Sequence, residues 1–142
     1  MIESNPMKFQ DKNGTEWRLS LTVGTIEDVK ENTEIDFDEL IKKPAALAEF
    51  MLADHKQLVR VLFVICQDQI EERSMTAKDF GRLFDRTTID NAQNGLMESI
   101  MLFYARTSAG RVIQEQWPAL LAKMDSELEK KLKSKMKEVF SN

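Results

Sequence analysis

The chain has 142 residues, enough for one domain that buries roughly 70% of its unfolded surface and too few for a protein kinase. It is 42% hydrophobic and 31% charged, with 5 Gly and 3 Pro, which describes a helix-rich globular protein and excludes a largely disordered one. The formal net charge of -4 is unevenly spread: residues 1–54 carry 12 acidic and 6 basic side chains, the remainder 12 acidic and 14 basic. That balance argues against a general nucleic-acid binder and leaves room for a local basic patch.

The N-terminal "MIESNPMKFQ" lacks the charged-then-apolar pattern of a signal peptide. In "TEWRLSLTV", Trp17, Leu19, Leu21 and Val23 alternate with polar residues, as a half-buried strand requires. Met7 and Phe9 alternate in the same way before "DKNG", so residues 7–23 read as a β-hairpin. A two-residue Asn13-Gly14 loop would mix apolar and polar residues on one face. A three-residue loop, Lys12 to Gly14 with Gly14 left-handed, pairs Phe9 with Trp17 and Met7 with Leu19 and is preferred. Two strands are marginal alone, so this apolar face must pack on helices or on another chain.

Beyond Gly24 the period becomes helical. Thr25 followed by Asp28 suggests a capping box for a short helix carrying Ile26 and Val29. "DFDELI" suggests a second helix capped by Asp36, with Phe37, Leu40 and Ile41 on one face. Pro44 suits the first turn of a third, "PAALAEFMLA". The carboxylates of "IEDVKENTEIDFDEL" lack EF-hand spacing and read as a solvated face at helix starts.

Asp54 is the expected cap of "HKQLVRVLFVICQDQIEERS", apolar nearly all round from Leu58 to Cys66 and therefore central, with a polar end expected in solvent. Its apolar run "VLFVIC" is far below the roughly 20 residues of a membrane span, so a cytoplasmic protein is expected. Cys66 and His55 are the sole cysteine and histidine. They exclude a disulfide within the chain and a two-histidine metal site, and a Cys-His catalytic pair could rest on these two alone. Cys66, ending an apolar run, reads as a small buried hydrophobe.

"DFGRLF" at residues 79–84 opens with the kinase metal-binding triplet, but no Gly-rich loop, strand lysine or catalytic-loop "HRD" accompanies it. Locally, Thr76 is an N-cap and Asp79 the third helical residue that bonds back to the cap. Met75 and Phe80 hold the staple positions, and Gly81 is expected to serve as a packing notch. The next helix, "RTTIDNAQNGLMESIMLFYAR", offers Ile89, Ala92, Leu96, Ile100 and Phe103 as its inner stripe and Gly95 as a close crossing.

After a break at "TSAG", residues 107–142 read as one long amphipathic helix, bent or interrupted at Pro118. Leu121, Met124, Leu128, Leu132 and Met136 form a narrow seam, and Glu127–Lys131 and Glu129–Lys133 are favourable i,i+4 pairs. Such a seam needs a partner, either the protein's own body or another chain. Five lysines from Lys130 to Lys137 solubilise the helix or contact phosphate, though no aromatic or Arg residues interleave with them. The expected fold class is mainly α (α+β). A single domain over residues 1–106 packs the hairpin on about six helices and precedes the long C-terminal helix.

"FQDKNGTEWRLSLTVGTIEDVK", "IDFDEL", "HKQLVRVLFVICQDQ", and "DFGRLF" with "LMESIMLFY" occur in the order found in tail assembly chaperones of long-tailed bacteriophages, and residues 9–104 resemble that family. The most specific pieces are residues 17–26 and Asp79-Phe80-Gly81-Arg82; the helix beyond Pro118 has no counterpart there. The resemblance implies a non-enzymatic protein, without cofactor or metal, that binds the helical, aggregation-prone tape measure protein in the bacterial cytoplasm. Such chaperones are often made in a short and a frameshift-extended form. Trp17, Leu19 and Leu21 of the hairpin and Leu121, Met124, Leu128, Leu132 and Met136 of the seam are the candidate contacts, with a homo-oligomer also open. The competing expectation is a small nucleic-acid-associated regulator acting through Lys130 to Lys137.

Overall fold

The computed structural model describes residues 7–140. Two strands, β1 (Lys8–Gln10) and β2 (Glu16–Arg18), form an antiparallel hairpin in which Phe9 faces Trp17. The Leu19 N–H donates to the Met7 carbonyl, and Gly14 takes φ +80° in the loop, so the three-residue loop and its register are those expected. The ladder is shorter than residues 7–23, because the chain turns into helix α1 (Val23–Thr33) at Thr22. The Thr22 hydroxyl accepts from the Thr25 N–H. The cap is therefore Thr22 and not Thr25, and Val23, expected on the inner strand face, is 74% exposed in the first helical turn.

Short helices α2 (Phe37–Leu40) and α3 (Pro44–Ala53) follow, the first capped by Asp36 and the second opened by Pro44. Helix α4 (His55–Ile65), capped by Asp54, lies against α1 and α3 and buries Leu58, Val61 and Leu62. It does not run on to Ser74. The chain breaks at Cys66 and restarts as α5 (Gln67–Glu72), which brings Gln69 and Ile70 inward. The polar end expected in solvent thus holds a buried glutamine. Its side-chain oxygen accepts from the Arg18 N–H at 2.8 Å and its amide donates to the Arg18 carbonyl at 2.9 Å, closing the edge of β2 that β1 leaves free.

Helix α6 (Ala77–Gly81) is followed by α7 (Arg86–Phe103), which packs along β1. Ala92, Leu96 and Ile100 face inward as expected, Ile89 is half-buried, and Phe103 lies outside the stripe, 38% exposed. Gly95 does mark a close approach, but of hairpin to helix: a Cβ there would meet the Lys8 carbonyl oxygen at 2.7 Å. Helix α8 (Ser108–Phe140) is a single span of 33 residues, about 50 Å long. It begins within "TSAG", where the Thr107 hydroxyl accepts from the Gly110 N–H. Pro118 does not interrupt it. Pro118 and Gln114, whose carbonyl loses its partner, are both exposed, so water can serve that carbonyl.

The fold is mainly α, with the hairpin laid on the helices. Phe80 is the centre of an aromatic cluster, with ring centroids 5.1 Å from Trp17, 5.1 Å from Phe84 and 6.0 Å from Phe63. The core extends past residue 106, taking in Ile113 and Trp117 of α8. Among the described residues no buried side-chain nitrogen or oxygen lacks a hydrogen-bond partner. Asp11 illustrates this: its carboxylate accepts from the Asn13 and Thr15 amides of the turn and, at 2.9 Å, from the buried Trp17 indole.

Candidate partner-binding surface

The two groups of candidate contact residues meet different fates. Trp17 and Leu19 are buried and Leu21 half-buried within the body of the protein. Phe80 of α6 and the Gly95 turn of α7 pack on the hairpin's apolar face, so Trp17 and Leu19 offer no surface to another chain and Leu21 only part of its own. The Ser99 hydroxyl adds a 2.8 Å bond to the Leu19 carbonyl.

The α8 seam divides along its length. Ile113 and Trp117 are buried, and Leu120, Leu121 and Met124 pack half-buried on the core, where the helix runs beside α3. From residue 125 onward every described side chain is exposed. On this free arm Leu128, Leu132, Met136, Val139 and Phe140 are between 41% and 77% exposed. Val139 and Phe140 escaped the sequence reading, although they continue the spacing of three and four from Met136.

From Leu121 to Val139, through Met124, Leu128, Leu132 and Met136, five steps cover 18 residues, or 3.6 residues per step. That is the period of the α-helix itself, so the stripe runs parallel to the axis and imposes no left-handed supercoil. Lys131 and Lys135 border it on one side and Lys133 on the other. Of the two expected i,i+4 pairs, Glu129–Lys133 closes at 3.1 Å; Glu127–Lys131 is not among the ion pairs of the described residues.

A second surface feature lies between α1, α2 and the end of α7. Val23, Ile26, Glu27, Lys30, Glu31, Asp36, Asp38 and Phe103 line a groove of about 490 Å³. Lys30 pairs with Asp36 at 3.6 Å. The Tyr104 hydroxyl donates to Asp38 at 2.6 Å, and burial together with that bond holds the Tyr104 phenol well above its usual pKa.

The kinase-like triplet has a local role. Thr76 accepts from the Asp79 N–H and the Asp79 carboxylate accepts from the Thr76 N–H, a complete capping box. These hydrogen bonds, first the one from the Thr76 backbone, lower the Asp79 pKa. Phe80 is fully buried and Met75 packs half-buried on the core. Gly81 is no packing notch, since a Cβ there would meet nothing within 4 Å.

Cys66 is buried, and desolvation pushes its thiol up to about 12. It stands just past the end of α4, whereas the exposed His55 begins that helix; about 16 Å of helix separates them. Among the described residues no group of three His, Cys, Asp or Glu side chains is placed to hold a metal ion. Nor is any helix among them long and apolar enough to cross a membrane. Comparison with protein-family models, with characterised proteins and with solved structures yields no match to this chain.

Proposed function

We propose that this chain is a non-enzymatic phage tail assembly chaperone or adaptor, acting in the bacterial cytoplasm, that holds an apolar helical client such as the tape measure protein on the free arm of α8. The observation that carries the reading is the exposed stripe from Leu128 to Phe140. Five large apolar side chains on one line of a projecting helix form a surface that costs free energy in water and gains it on burial. A straight stripe on a helix is what a groove or a second helix accepts, with the apolar residues as anchors at i, i+4 and i+8. The lysines beside it keep the arm dispersed and speed encounter with an acidic partner. The link to phage tails rests on the resemblance of residues 9–104.

Co-expression with the tape measure protein tests the proposal. The client is expected to move from the aggregated to the soluble fraction and to elute with this chain. Equal aggregation with and without the chain would sink the idea. The alternative, a nucleic-acid-associated regulator, has the exposed Lys130 to Lys137 in its favour. It requires retention on DNA or RNA that falls steeply with salt and is lost when those lysines become serine.

A further inference from the structure

The free arm and the acidic groove are opposite in charge and alike in the spacing of their charges. Along α1 the groove extends from Val23 to Glu31, eight residue steps or about 12 Å. On α8 the part of the stripe from Leu128 to Met136 covers the same eight steps, and Val139 and Phe140 continue beyond it. Glu27, Glu31, Asp36 and Asp38 against Lys30 give the groove lining a net charge of -3. Residues 128–140, with five lysines against Glu129 and Glu138, carry a net +3. Glu27 and Glu31 stand one helical turn apart beside the apolar Val23 and Ile26. Lys131 and Lys135 stand one turn apart beside Leu128 and Leu132.

The arm does not fill the groove of its own chain. Helix α8 is rooted by Ile113 and Trp117 and stays helical to Phe140, with no break after Met124 at which residues 128–140 could turn back. We propose that the arm of one copy docks in the acidic groove of a second copy. Its apolar stripe covers the exposed Val23 and Phe103, and Lys131 and Lys135 meet Glu27 and Glu31. Because arm and groove are different surfaces, the contact is head-to-tail and builds a ring or an open chain. The inference does not rest on the tape measure reading, but a client that takes the stripe would compete with the second copy.

Sedimentation of the full chain, without client, at about 50 mM and about 500 mM salt is the test. The wild type is expected to associate at low salt and about tenfold more weakly at high salt. Glu27→Lys with Glu31→Lys, and separately Lys131→Glu with Lys135→Glu, should each weaken association by at least about tenfold. All four positions are exposed, and circular dichroism checks that the helices persist. Mixing the two reversed variants matches each arm to the other's groove and should restore association. The proposal is overturned if the wild type stays monomeric at low salt, if either reversal leaves association unchanged, as arm-to-arm pairing would for the groove variant, or if the mixture stays monomeric.

Discussion

Phe80 sits where the rings of Trp17, Phe63 and Phe84 converge, and the residues on either side of it explain why a short helix begins there at all. The capping box of Thr76 and Asp79 satisfies amides at both ends of the first turn, which compensates for a helix of five residues. Because the folded-state pKa of Asp79 is lowered, its contribution is present above the usual carboxylate value and is lost as pH falls through the lowered one. Acid unfolding of Asp79→Asn should therefore show a shallower pH dependence in that range, and an unchanged slope would contradict the box. The glycines supply an opposed pair. Gly95→Ala forces a Cβ to within 2.7 Å of the Lys8 carbonyl oxygen and is expected to cost about 1–3 kcal/mol. Gly81→Ala meets nothing within 4 Å and should stabilise by up to about 1 kcal/mol. Chemical denaturation of both variants reads the two signs.

Among the elements, the hairpin and α5 depend on each other. Gln69 acts as a third strand for β2 by bonding both backbone groups of Arg18, while Arg73 of the same turn stands 4.6 Å over the Trp17 ring. Gln69→Ala should cost about 1–3 kcal/mol and speed hydrogen exchange at the Arg18 amide; unchanged exchange there would contradict the glutamine's role in closing that edge. This contact explains a limit of the sequence. Alternation made the hairpin register legible, because sliding one strand by one residue would set Phe9 against Arg18 and mix apolar with polar side chains on one face. The helix starts at Asp36, Pro44, Asp54 and Thr76 were legible because cap chemistry is local. The break at Cys66 was not, since no Gly or Pro marks it and Gln69 is polar by identity but buried by tertiary pairing. Thr22 and Thr25 are likewise both competent caps, and Asp28 favoured the wrong one. Phe103 misled because helical phase alone does not say where a neighbouring helix ends.

For the whole molecule, the decisive fact is how apolar surface is divided between interior and exterior. The hairpin face, which sequence alone leaves free to meet helices or another chain, is spent inside. The α8 seam is continuous in sequence but changes role near Met124, where the body it rests on ends. No local pattern encodes that boundary, because Leu121 and Leu128 occupy equivalent helical positions. Cys66 reports on the same interior. With its thiol pushed up to about 12, it should resist alkylation at pH 8 in the folded protein and react once denaturant opens the core. Rapid native-state labelling would contradict the burial. The arm, by contrast, can be altered without touching that core. Leu132→Asp with Met136→Asp should leave the melting temperature nearly unchanged, since both side chains are more than half exposed. The most direct test compares wild type with this double variant for the amount of co-expressed tape measure protein kept soluble and co-purified. The expected result is retention by the wild type and loss by the equally stable variant. Equal retention by both would contradict the assignment of client binding to the arm.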